Sequence, residues 1–115
     1  MKKLEIEIKD LKYNLNLIKE YARDTQIIAV VKGNGMGFDL VKYSRFLVDN
    51  GIEFLAVANT QEAEALRIAG IQTKILMLSE VFSEEELEIL IENDIILTIG
   101  SLEEKEKIEE VAHRL

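Results

Sequence analysis

A chain of 115 residues, 48% apolar and 31% charged, has room for one modest soluble domain with a single core. It has no cysteine and one histidine, His113, which excludes disulfides and thiolate metal sites and argues against a His-based zinc site or a Ser-His-Asp triad. The formal net charge of −8 argues against a basic face for nucleic acid, and no apolar run approaches the ~20 residues of a membrane span.

Taken in chain order, Leu4–Ile8 alternates apolar and charged residues, the pattern of a half-buried strand. That alternation after Met1-Lys2-Lys3 is unlike the continuous apolar core of a signal peptide, and a cytoplasmic location is expected. Asp10 precedes a helical pattern with Leu11, Leu15, Ile18 and Ala22 on one face. Gln26–Val31 is a short β-branched run suited to a buried strand. It ends at Lys32 and opens into Gly33-Asn34-Gly35-Met36-Gly37. Asp39 is placed to cap a helix that turns Leu40, Tyr43 and Leu47 inward and stops near Gly51.

The strand-then-helix unit then repeats. Glu53–Ala58 predicts a strand, and Asn59 or Thr60 caps a helix carrying Ala63 and Leu66 that closes at Gly70. Lys74–Leu78 predicts a third buried strand, followed by a capping-box pattern of Ser83 with Glu86 ahead of Leu87, Leu90 and Ile91. Asp94–Ile99 predicts a fourth strand, and Ser101 with Glu104 repeats the capping box before Ile108, Val111 and Ala112. The acidic stretches 83–92 and 103–110 read as solvated helix faces.

Strands separated by single helices are expected to be parallel with right-handed crossovers. Both an open doubly wound sheet and a (β/α)₈ barrel use this order. A whole barrel takes about 250 residues. The fold class expected is therefore α/β: a parallel (β/α) repeat over residues 1–115, equal to the N-terminal half of a TIM-type barrel and preceded by one strand and a helix.

In parallel α/β folds the carboxyl ends of the strands carry the chemistry. Lys32 falls at such an end after the apolar Ala29, Val30 and Val31. Partial desolvation there favours a neutral amine, which attacks aldehydes; a solvated lysine that merely ends a strand fits the same position. The glycine loop fits neither common phosphate template. A Walker A loop needs its lysine after the glycines, and a dinucleotide loop needs glycine where Phe38 stands. The glycines are also explained by a tight turn with positive φ.

The run Ala29-Val30-Val31-Lys32-Gly33-Asn34-Gly35-Met36-Gly37 resembles the AVVKANAYG-type signature of alanine racemases. Further segments resemble the family in the same order: Glu5–Ile8 with Leu11 and Asn14; Phe54–Ala58 with Glu62-Ala63 and Leu66-Arg67; Ile75–Leu78; and Leu97-Thr98 with Ser101–Glu103. The resemblance implies an isomerase that inverts an amino acid at Cα, with L- and D-alanine the default pair. It implies that Lys32 holds pyridoxal 5'-phosphate as a Schiff base, with Val30, Met36, Leu76 and Leu78 as further cofactor-binding candidates. Core packing accounts for Val30, Leu76 and Leu78 equally well.

Two positions depart from the family. Met36 stands where a tyrosine usually helps to hold the cofactor phosphate, and Phe38 where a histidine is common. Family members continue into further barrel strands and a C-terminal β domain, with which the opening strand pairs, and they act as homodimers. The second acid–base group is a tyrosine from the partner subunit. Alone, the present stretch is expected to be inactive as a racemase and to self-associate, need a complementing half or be marginally stable, because half a barrel leaves sheet edges open. The competing readings are a non-catalytic flavodoxin-like or receiver-like module, whose acidic cluster Asp24 and Glu80 would have to form, and a scaffold fragment that pairs with another barrel chain.

Overall fold

The computed structural model describes residues 4–81 and 83–115. Its elements in order are α1 (Ile8–Ala22), β1 (Ala29–Val30), a short helical turn α2 (Lys32–Met36), α3 (Leu40–Asp49), β2 (Phe54–Val57), α4 (Thr60–Ile68), β3 (Lys74–Met77), α5 (Glu84–Glu92) and α6 (Leu102–Arg114). The strands form one parallel sheet in the order β1-β2-β3. Ile96 adds a parallel bridge to Leu76 on the far side of β3. Sequence order and spatial order coincide, as in a barrel wall built by successive right-handed crossovers.

The helices start where their local chemistry dictates. Asp39 accepts from the Lys42 amide at 3.1 Å, Asn59 from Glu62 at 2.8 Å, Ser83 from Glu86 at 3.4 Å and Ser101 from Glu104 at 3.2 Å. Each side chain satisfies one amide that the first helical turn would leave without a partner. Of the two caps open for α4, Asn59 fills the role.

Two faces of the sheet have different fates. Leu55, Val57, Ile75 and Met77 are fully buried against Ala63, Leu66, Leu87 and Leu90 of the helices, joined by Val31 and Val111. The intervening residues form the other face. The register aligns Val30 with Ala56, Ala56 with Leu76, and Leu76 with Ile96 in one row across the strands. One row nearer the amino ends, Phe54 pairs with Lys74, whose ammonium lies 5.9 Å from the Phe54 ring centroid. Val30, Leu78 and Ile96 are 39–41% exposed, so this face lacks the cover that the helices give the first.

Three expected strands are corrected. Leu4–Ile8 is not a strand: residues 4–7 are irregular, extended Glu7 precedes the helix, and Ile8 already belongs to α1. Alternation alone does not make a strand, because a strand needs a neighbour to satisfy its amides, and the segment pairs with neither sheet edge. The stretch 94–99 contributes a single bridge at Ile96, held by Ile96 N–H to the Ile75 carbonyl and Met77 N–H to the Ile96 carbonyl, each 2.8 Å. At the sheet edge it has a partner on one side only. The first strand, expected over 26–31, is likewise reduced to Ala29–Val30 at the opposite edge.

The carboxyl end of the sheet as candidate functional site

Lys32 follows β1 after a single residue, Val31. Val31 donates its amide to the Ala56 carbonyl at 2.9 Å and buries its side chain. From Lys32 onward the chain leaves the sheet through α2, whose hand is reversed. Gly33, Asn34 and Gly35 have φ of 66, 54 and 70°, and Met36 and Gly37 follow at 55 and 89°. Left-handed turns cost an L-residue roughly 1–2 kcal/mol each. Three glycines remove most of that cost, and asparagine tolerates the conformation; Met36 bears it.

The turn closes on itself through Gly35 N–H to the Val31 carbonyl at 2.8 Å and Gly37 N–H to the Gly33 carbonyl at 3.0 Å. Asn34 ties it outward in two directions. Its Oδ1 accepts from the Leu40 amide at 3.0 Å, and its own N–H points to Glu62 Oε2 at 3.4 Å. Glu62 Oε1 accepts from the Ala58 amide at 3.0 Å. The Ala58 carbonyl in turn accepts from Ser79 Oγ at 2.7 Å, and Thr98 Oγ1 donates to the Met77 carbonyl at 2.6 Å. Polar ties between neighbouring βα units thus run along the carboxyl end of the sheet.

Lys32 itself is exposed and makes no ion pair or hydrogen bond among the described residues. The desolvation expected from its apolar neighbours is therefore not supplied by them: Val31 turns into the core, and Lys32 stands clear of it. Val30 and Leu76 share one sheet row with Ala56 between them, and Leu78 lies two residues further along the same face, nearer the carboxyl end. Met36, on the left-handed turn, is 58% exposed and belongs to neither row. The five residues singled out in the sequence thus fall on one open side of the sheet or on the turn at its carboxyl end.

Sequence reasoning gave no structural role to Asn34, Ser79 or Thr98. It also placed Glu62 in a family resemblance only, although Asn59-x-x-Glu62 is itself a capping-box spacing. The receiver-like reading loses its cluster, because Asp24 precedes β1 at the amino end and Glu80 follows β3 at the carboxyl end. Burial holds the pKa of the Arg67 guanidinium below its ordinary value, with the Asp94 charge opposing; this residue is at the amino end. A concavity of about 570 Å³ also lies there, lined by Lys19, Arg23, Gln26, Ile27, Ile52 and Glu53. It touches none of the five candidates.

No helix among the described residues is long and apolar enough to cross a membrane. The family model for the alanine racemase N-terminal domain matches residues 6–115. An alanine racemase of Methanococcus maripaludis is 40% identical over 112 residues, which is 96% of this chain and 30% of that protein. One from Haemophilus influenzae is 40% identical over 94 residues, 82% of this chain and 26% of its own length. Among solved structures, the alanine racemase of Clostridium difficile 630 in complex with cycloserine superposes with a TM-score of 0.87 at 36% identity, covering 92% of this chain and 29% of that one. The alanine racemase of Bacillus anthracis, solved with bound L-Ala-P, gives a TM-score of 0.80 at 34% identity, covering 90% and 27%. The chain spans about three tenths of the length of these relatives. The parallel half-barrel wall, the lysine at its first strand end and a match over residues 6–115 agree: this chain belongs to the alanine racemase N-terminal domain family.

Proposed function

We propose that the chain supplies the lysine-bearing part of an alanine-racemase-type enzyme, in which Lys32 binds pyridoxal 5'-phosphate covalently and an amino acid, alanine by default, is inverted at Cα. One observation carries the reading. Lys32 is an exposed amine without a competing partner among the described residues, and it sits at the carboxyl end of a parallel sheet, within the segment that resembles the family's lysine signature.

The residues present fit part of the cofactor. The Lys32 amine is available to its aldehyde, and the open apolar surface of Val30, Leu76 and Leu78 suits the flat ring. The phosphate is served less well: Met36 has a thioether, a weak acceptor, where a hydroxyl donor would help. When bound, pyridoxal phosphate supplies the electron withdrawal that makes the Cα proton removable. Released from the cofactor by the substrate's amine, Lys32 Nζ would accept or donate the proton on one face of the substrate. The left-handed turn fixes the backbone from which Lys32 projects. Inversion also needs a base on the opposite face; we assign it to the family's partner-subunit tyrosine, which makes the working unit a homodimer.

The test is reductive capture. The protein is mixed with pyridoxal phosphate, treated with borohydride and mapped by mass spectrometry. One equivalent on Lys32, abolished in Lys32→Ala, is the expected result. Capture scattered over surface lysines, unchanged by that substitution, would refute the assignment.

A further inference from the structure

We propose that Glu62 is a positioning residue for Lys32, tying the left-handed turn that carries the lysine to the next βα unit. The proposal rests on the reading of Lys32 given above, but its central contact is measured independently of any cofactor.

A single carboxylate makes both ties. Oε1 accepts the Ala58 amide at 3.0 Å, closing the entrance of α4, and Oε2 faces the Asn34 amide at 3.4 Å. Asn34 lies two residues beyond Lys32. Within the turn, the amides of Gly35, Gly37 and Phe38 bond to Val31, Gly33 and Gly35 carbonyls. The Asn34 amide has no such internal acceptor and turns to Glu62 instead. The Asn34 side chain meanwhile holds the Leu40 amide, within its own unit. Glu62 is thus the side chain that fastens the turn to the neighbouring unit, and the Ser79 bond to the Ala58 carbonyl braces that unit from the other side.

The repeat provides its own control. Glu104 occupies the equivalent place in α6, three residues after its cap Ser101, as Glu62 is three after Asn59. Its Oε2 accepts the Gly100 amide at 2.9 Å, just as Glu62 Oε1 accepts that of Ala58. Its other oxygen is buried and has no partner among the described residues. The bond to the residue before the cap is therefore common to both helices and belongs to helix capping. The bond to Asn34 occurs only in the unit that follows Lys32. Glu62 makes no ion pair with Lys32, so it acts through the Asn34 backbone.

Glu62→Ala, Glu62→Gln and the control Glu104→Gln separate these roles. Amide exchange at Asn34 should quicken about tenfold in Glu62→Ala, as loss of a charge-assisted bond implies. Reductive capture of pyridoxal phosphate at Lys32 should slow by a similar factor at unchanged fold. Glu62→Gln retains one acceptor for two amides and should fall between. Glu104→Gln should leave Asn34 exchange and Lys32 capture untouched. If Asn34 exchange and Lys32 capture both match the unmutated protein in Glu62→Ala while only the first amides of α4 quicken, Glu62 is a helix cap and the proposal fails. If Lys32 is not captured even in the unmutated protein, the cofactor reading fails, and Asn34 exchange alone still decides whether Glu62 holds the turn.

Discussion

A Cβ added to Gly35 would stand 3.1 Å from both the amide nitrogen and the Cα of Leu40, so the left-handed turn and the start of α3 meet backbone to backbone. Tyr43 Cβ, at 3.3 Å, closes the same contact. Gly33 has nearly the same φ, 66° against 70°, but no described residue lies within 4 Å of its Cβ position. The pair separates backbone strain from steric overlap. Gly33→Ala should cost about 1–2 kcal/mol through conformation alone. Gly35→Ala should cost roughly 1–3 kcal/mol more, because backbone atoms cannot step aside as a flexible side chain would. Urea unfolding of both variants checks this; equal losses would show that the close approach is not what requires glycine.

Met36 bears the left-handed conformation at φ 55° with its side chain 58% exposed. Its strain is therefore not offset by burial. Met36→Tyr keeps the backbone cost and restores the hydroxyl that the family usually carries there. If Lys32 holds pyridoxal phosphate as proposed, the variant should bind it about tenfold more tightly, the equivalent of one hydrogen bond to a charged group. A spectroscopic titration at fixed pH reads the difference. Unchanged affinity would mean that the phosphate does not reach residue 36.

Local chemistry accounts for what could be read from the sequence. Asp39, Asn59, Ser83 and Ser101 cap helices because each partner amide is three residues away, so no distant information is needed. Leu55 and Ile75 were legible as buried strand because continuous apolar runs suit a sheet covered by helices. The errors at 4–8 and 94–99 have a common cause: pairing is non-local, and neither alternation nor an apolar run says whether a neighbour is there. The glycines predicted a tight turn, but not that Asn34 and Met36 would share its reversed hand. The Glu62–Asn34 tie spans 28 residues and has no local signature at Asn34. The solvent exposure of Lys32 was also hidden, since burial depends on what packs around the strand end.

At the other end of the sheet, Arg67 gathers three segments. Its Nε donates to the Asn93 carbonyl, and its Nη1 to those of Ile71 and Thr73, all at 2.8 Å, while Nη2 reaches Asp94 O at 3.2 Å. A planar fork makes this possible; a lysine ammonium on one flexible stem cannot span the same carbonyls. Arg67→Lys should therefore be far from conservative, losing about 2–3 kcal/mol on the scale of hydrogen bonds to charged groups. Burial lowers the pKa of this guanidinium, a desolvation that works against the bonds it makes, so Arg67→Met, which removes the charge, should lose less than the bond count suggests. Chemical denaturation ranks the three proteins, and an Arg67→Lys variant as stable as the parent would contradict the fork argument.

Ser44 is fully buried on α3, and its Oγ has no hydrogen-bond partner among the described residues. A serine inside a helix ordinarily satisfies itself at the carbonyl four residues back; here that would be Leu40, and the bond is not made. The hydroxyl has given up water without a replacement, at a cost of about 1–3 kcal/mol. Ser44→Ala removes the orphaned oxygen, leaves only a small void and improves helix propensity. It should stabilise the chain by roughly 1 kcal/mol, seen as a higher urea midpoint at unchanged slope. Because Ser44 lies in α3, beyond the left-handed turn, capture of pyridoxal phosphate at Lys32 should be unaffected. A loss of stability in Ser44→Ala would mean that the hydroxyl finds a donor or acceptor in solution, and the helix packing around α3 would have to be redrawn.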